Sequence, residues 1–272
     1  MKRGSVEVDG IAMSWLEHGQ GRTVVFIHGV PTSPDLWREV MVRVDGVRSL
    51  AWEMVGYGSS IPHGCGRNLS VSAQAGYLRA WVDALGLEKP ILVGHDLGGG
   101  VAQIALVRDP NRYGGLLLTN AIGYDAWPVP SVKLLKKMGR LLRRLPKPLL
   151  KLLLASFYGK GHRNSQQARA AYHRHAPYYL RHDGAAALEQ QLRWLDVRDT
   201  LAVQERLPEL GVPARVVWGA ADRFLKVRYA ERFARDLGSP LRRIEGGKHF
   251  IPEDHPEIVA EELTKLIAAA RA

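Results

Sequence analysis

Cysteine is all but missing, with Cys65 the only one in 272 residues. A lone cysteine excludes an internal disulfide framework and a cysteine-based structural zinc site, and it fits a reducing compartment. Long apolar runs are missing too: no uncharged stretch approaches the roughly 20 residues that a membrane-spanning helix needs. The chain opens Met1-Lys2-Arg3, but the acids Glu7, Asp9 and Glu17 come too soon after it for the apolar core of a secretory leader to form. A cytoplasmic location is therefore expected. Acid is missing from one region, since residues 126 to 182 hold thirteen Lys or Arg and no Asp or Glu. The net charge of +11 is concentrated there, and the remainder, with 25 basic against 27 acidic residues, is close to neutral. Such a chain lacks the basic stripe joined to a binding module that marks a nucleic-acid binder, so no nucleic-acid partner is expected.

What is present is an alternation of strand and helix. Ser5 to Val8 and Ile11 to Leu16 read as a hairpin turned at Asp9-Gly10. Thr23 to His28, Pro90 to Gly94 and Gly114 to Thr119 are continuous apolar runs of the kind found in buried parallel strands, and Arg48 to Glu53 is a weaker one. Val71 to Leu85 has helical spacing, and a second helix is expected over Leu97 to Val107. From Tyr124 to about Thr200 no strand signal occurs, only helical segments punctuated by prolines; strands return at Pro213 to Gly219 and Pro240 to Ile244, each followed by a helix. This pattern predicts an α/β fold with a mostly parallel sheet covered on both faces. Residues 1–123 form the first part of its core, 124–200 an inserted helical cap and 201–272 the second part.

Four segments carry the chemistry, each directly after an expected strand. Gly94-His95-Asp96-Leu97-Gly98 has the form of a nucleophile elbow, a turn so tight that its flanking residues must be tiny while the central side chain stands at a helix N-terminus. The Leu97 N–H then supplies half of an oxyanion hole, and Val30 in His28-Gly29-Val30-Pro31-Thr32 the other half. Asp222 in Gly219-Ala220-Ala221-Asp222 and His249 in Gly246-Gly247-Lys248-His249 complete the chain order nucleophile, acid, histidine.

These segments resemble the α/β-hydrolase superfamily over nearly the whole chain, and Asp at the elbow centre resembles its branch of haloalkane dehalogenases and epoxide hydrolases. The resemblance implies an eight-stranded sheet, catalytic Asp96, His249 and Asp222, and a small-molecule, mainly apolar substrate. A carboxylate attacking a saturated carbon yields an ester, which water can cleave; a serine would yield an inert ether. Asp96 therefore suits sp³ electrophiles, with His249 activating the water and Asp222 holding the ring. Residues expected along the substrate site are His28, Pro31, Trp127, Tyr178 and Tyr179, His28 being read also as a histidine that shapes its loop by hydrogen bonding.

The resemblance leaves two electrophiles open. Dehalogenases place a Trp after the nucleophile where this chain has Leu97, and some place an Asn where Val30 stands, so both usual halide donors are absent unless Trp127 or Trp194 substitutes. Epoxide hydrolases use cap tyrosines as acids; Tyr124, Tyr158, Tyr172, Tyr178 and Tyr179 are available, with His173, His175 and His182 nearby in sequence. On this ground the epoxide is placed ahead of the alkyl halide, and a non-catalytic small-molecule binder on the same fold is the rival from another class. No metal or organic cofactor is implied, for no ligand cluster or phosphate-binding glycine loop occurs. Ser131 to Leu145 reads as one amphipathic helix whose apolar stripe covers the site mouth and whose Lys and Arg form a solvated face. An acidic substrate or an anionic membrane surface contacting this basic cap are the other readings.

Overall fold

The structure, a computed structural model, describes residues 1–181 and 183–270; His182 lies outside them. Eight strands form one sheet in the order β1-β2-β4-β3-β5-β6-β7-β8, with bounds β1 Lys2–Val8, β2 Ile11–His18, β3 Arg22–Ile27, β4 Val47–Trp52, β5 Ile91–Asp96, β6 Gly115–Ala121, β7 Ala214–Gly219 and β8 Leu241–Ile244. The first hairpin and the β2–β4 pair are antiparallel and every other pair is parallel. Helices of nine residues or more are α1 Val71–Ala84, α2 Leu97–Arg108, α3 Pro130–Met138, α4 Lys147–Gly161, α5 Ser165–Arg181, α6 Gly184–Arg193, α7 Arg228–Asp236 and α8 Pro256–Ala269.

The burial of each strand follows its composition. Central β6 is buried at every position and β3 and β5 nearly so, as strands covered on both faces must be, whereas edge strand β1 alternates and keeps Lys2, Arg3 and Glu7 in water. The sheet order reverses direction between β3 and β5, and in such sheets the crevice beyond the strand C-termini at that reversal is where ligands sit.

Helices α3 to α6 lie between β6 and β7, with no strand among the described residues there. One sequence expectation is corrected here. Residues 131–145 do not form a single helix, because Gly139 adopts φ +46° and ends α3; Arg140–Arg143 is a separate short turn. The expected covering stripe divides accordingly, with Leu142 buried and Leu134 and Leu141 exposed.

Polar bonds fasten these helices to the sheet side. The buried His175 bridges Ser33 (3.0 Å) and Glu253 (3.2 Å), buried His162 meets Asp254 (3.0 Å), and Arg174 pairs with Glu253. The Tyr158 hydroxyl donates to the Pro31 carbonyl at 2.7 Å. Removing one member of such a buried set leaves a charge unpaired, at a cost of about 3–5 kcal/mol.

Backbone contact at the β5–α2 turn is close enough to forbid a side chain. A Cβ on Gly98 would stand 2.2 Å from the Ile27 carbonyl oxygen, while one on Gly76, in mid-α1, would meet nothing within 4 Å. Gly98→Ala is therefore expected to destabilise by about 3 kcal/mol through overpacking, and Gly76→Ala to stabilise by about 0.5–1 kcal/mol through helix propensity. Urea denaturation midpoints of both variants check the pair.

Candidate active site

Strand β5 ends at Asp96 and α2 begins at Leu97, so one residue makes the whole reversal. Asp96 takes φ +51°, ψ −120°, a conformation that side-chain-bearing residues avoid at a cost of order 1–3 kcal/mol. The turn lifts the carboxylate into the crevice. Its Oδ2 accepts the Val30 N–H at 3.0 Å, and the backbone N–H of Leu97 also acts to lower the proton affinity of the carboxyl. Gly29 is the position that permits this, for a Cβ there would stand 2.4 Å from Asp96 Oδ2. Burial pushes the Asp96 carboxyl above the usual aspartate value, against the pull of the His249 charge and of these two N–H groups.

His249 arrives on the loop after β8. Its own N–H (3.0 Å) and that of Phe250 (3.2 Å) both donate to the carbonyl of Gly161, the last residue of α4. Its Nδ1 bonds Asp222 Oδ2 at 2.8 Å, which leaves Nε2 the nitrogen that can take up a proton. Asp222 is itself fixed: Oδ1 accepts the Phe224 N–H (2.7 Å), and Oδ2 accepts the amide of Asn120 (2.5 Å). Asn120 Oδ1 in turn accepts the Gly219 N–H at 3.0 Å. Burial alone would depress the His249 imidazole, but the charge and hydrogen bond of Asp222, with the charge of Asp96, outweigh it and hold it above its ordinary 6.5.

Asp96 and His249 are the only titratable side chains on the wall of the inner cavity among the described residues; Val30, Leu97, Ile122, Trp127, Val132, Phe157, Phe224 and Leu225 supply most of the rest. An adjoining outer cavity shares Val30, Val132, Phe157 and Phe224 and adds Pro31, Leu135, Leu153 and Leu192. The site is therefore a carboxylate and an imidazole at the floor of an apolar passage.

Several residues expected along that passage stand elsewhere or are occupied. His28 is fully buried behind the wall, with Nδ1–H donating to the Gly29 carbonyl (2.9 Å) and Nε2 accepting the Met54 N–H (3.2 Å); burial pushes it down to about 3, so it is a neutral loop-shaping residue and not a substrate contact. Tyr178 points away to Asp35 (3.0 Å) and Tyr179 to Gln191 (2.8 Å), and neither lines the inner or the outer cavity. Tyr124 is spent on Asp236 at 2.8 Å. Trp127 does line the inner cavity, yet its N–H donates to Thr200 Oγ1 at 2.7 Å. Trp194 lines a separate surface cleft, and His173 is exposed beside Tyr172. Sequence reasoning missed Asn120 and Gly161. Asn120 lies near the end of β6 at φ +37°, and a polar residue ending a buried apolar strand was the available signal; Gly161 acts through its carbonyl and had none.

The sequence profile described as alpha/beta hydrolase fold matches residues 22–256. The chain belongs to that family. This α/β hydrolase is 27% identical over 263 residues to haloalkane dehalogenase 2 of Mycobacterium tuberculosis, covering 90% of this chain and 88% of that protein. It is 28% identical to a haloalkane dehalogenase of Agrobacterium fabrum, covering 96% and 90%. In structure it resembles an α/β-hydrolase-fold protein from Burkholderia ambifaria, with a TM-score of 0.89 at 22% identity, over 96% of this chain and 97% of that one. At that identity the likeness is one of fold.

The electrostatics of the His249–Asp222 pair can be read directly. Titrated by NMR, the His249 imidazole is expected to lose its proton above pH 6.5, and in Asp222→Asn, where burial is no longer opposed by that charge, at a distinctly lower pH. An unchanged value in the variant would show that the two are not coupled.

Proposed function

We propose that this protein is a hydrolase that forms a covalent ester on Asp96 by attack at a saturated carbon of a small, apolar electrophile. The observation that carries the reading is the Asp96 carboxylate itself, held at a strained turn by the Val30 N–H at 3.0 Å, beside His249 in an otherwise apolar cavity. In the first step a carboxylate oxygen bonds to the substrate carbon and the leaving group departs with its electron pair. In the second, His249 Nε2 takes a proton from water, and the hydroxide attacks the ester carbonyl of Asp96. The Val30 and Leu97 N–H groups, already aimed at this carboxyl, receive the negative charge that develops on its oxygen. Collapse of the tetrahedral species releases the alcohol with the aspartate restored, while Asp222 stabilises the imidazolium.

The leaving group decides between substrates. An epoxide oxygen leaves as a strongly basic alkoxide and needs a proton, and the cap hydroxyls expected to give one are spent or out of place: Tyr124, Tyr158, Tyr178 and Tyr179 each donate to a protein acceptor, and Tyr172 lines neither the inner nor the outer cavity. A halide is the conjugate base of a strong acid and departs unprotonated, so it suffers less from a wall without donors. The order expected from sequence is therefore reversed in this proposal, with the alkyl halide first, in keeping with the dehalogenase relatives. The epoxide stays as the second reading on one observation, the elevated proton affinity of His249, which would let it protonate the alkoxide and become the neutral base for the second step. A non-catalytic binder has no use for a strained, buried carboxylate paired with an oriented imidazole.

His249→Gln removes the base while leaving the first step open, so the ester is expected to accumulate. Turnover should fall by roughly 10²–10⁴-fold, and intact-protein mass spectrometry after incubation with 1-bromohexane should show Asp96 carrying a hexyl group without halogen. The parent protein, which keeps His249 as the acid, should convert 1,2-epoxyhexane to the diol only if the second reading holds. No added mass from 1-bromohexane on a folded variant, together with no turnover of 1,2-epoxyhexane by the parent, overturns the proposal.

A further inference from the structure

The basic segment has no role in the chemistry above. Lys133, Lys137, Arg140, Arg143, Arg144 and Lys151 are exposed, and among the described residues none has a carboxylate within ion-pair distance. Elsewhere surface arginines are commonly paired, as Arg79 is with Asp83 and Arg243 with Glu231. Between these free cations stand bare leucines: Leu134, Leu141, Leu149 and Leu152 are 51–67% exposed and make up half of the large apolar side chains left in water among the described residues. Helices α3 and α4 carry most of this patch, and the same two helices contribute Val132, Leu135, Leu153 and Phe157 to the outer cavity.

Cations alone would suit any polyanion, and aliphatic side chains alone would suit any apolar partner. Together, with no acid from residue 126 to 182, they match a surface that is negative outside and hydrocarbon beneath. We propose that this face docks on an anionic lipid bilayer, the leucines entering the boundary of the acyl chains and the Lys and Arg lying among the headgroups. A nucleic acid offers the charge without the hydrocarbon and leaves the leucines unexplained. Because the same two helices line the outer cavity, docking brings an apolar substrate dissolved in lipid close to the passage that leads to Asp96. That consequence rests on the function proposed above; the docking itself does not.

The test is co-sedimentation of the full chain with extruded vesicles of phosphatidylcholine and phosphatidylglycerol in equal parts, against vesicles of phosphatidylcholine alone. The protein is expected to sediment with the anionic vesicles and stay in solution with the neutral ones. Changing Arg140, Arg143 and Arg144 to Gln should lower partitioning by at least about tenfold, each cation being worth about fivefold. Changing Leu134, Leu141, Leu149 and Leu152 to Gln should also lower it at least about tenfold with every charge in place. Asp96→Asn should bind as the parent does, which separates this test from the hydrolase reading. Three results overturn the proposal: no binding to anionic vesicles, undiminished binding by the leucine variant as a purely electrostatic attraction to a polyanion would give, or a vesicle-free dimer that the leucine changes dissociate, which would assign the face to a second copy of the chain.

Discussion

A single turn without slack governs this molecule. Strand β5 passes into helix α2 through Asp96 alone, and the residue is held at a positive φ because its neighbours leave the backbone no other course. Gly98 lies against the Ile27 carbonyl and Gly94 against Gly99, so strand, helix and the β3 loop are locked together around the carboxylate. The strain of order 1–3 kcal/mol is small beside what the surrounding parallel strands, buried over most of their length, contribute by removing apolar surface from water. The fold therefore sustains a conformation that an isolated turn would abandon.

Burial then sets the electrostatics. An aspartate and a histidine under an apolar cover each lose hydration, and each is raised above its ordinary proton affinity, the carboxyl by burial and the imidazole by its acidic neighbours despite burial. Positioning comes from the backbone as much as from side chains: Val30 and Leu97 present N–H groups to Asp96, and the Gly161 carbonyl pins the loop of His249. Because Gly161 ends α4, the helices over the cavity and the histidine beneath them are mechanically joined. The His162, His175 and Glu253 cluster strengthens that joint from behind.

Much of this is legible in the residues. Central strands are readable because a strand covered on both faces must be apolar throughout, and the elbow because close backbone approach admits only glycine at Gly94 and Gly98. Asp222 and His249 are legible as polar residues just past strand ends, in the chain order the fold uses. What escapes are features set by direction in space. Nothing in the spacing of Tyr178 and Tyr179 says that one turns to Asp35 and the other to Gln191. The break at Gly139 divides a helix whose apolar periodicity runs on unbroken, since propensity at one glycine is weaker evidence than a stripe of leucines. The pairing of Asn120 with Asp222 crosses 102 positions of sequence and depends on a register shift at the end of β5 and β6.

The central claim is that the oxygen delivered to the substrate comes from Asp96 and that water oxygen replaces it there. Turnover in H₂¹⁸O with proteolysis and mass spectrometry of the peptide bearing residue 96 tests it directly. Label accumulating in the Asp96 carboxyl, with the first turnover releasing unlabelled alcohol, is the expected result. Labelled alcohol from the first turnover and an unlabelled peptide would mean that water attacks the substrate itself, and would contradict the account.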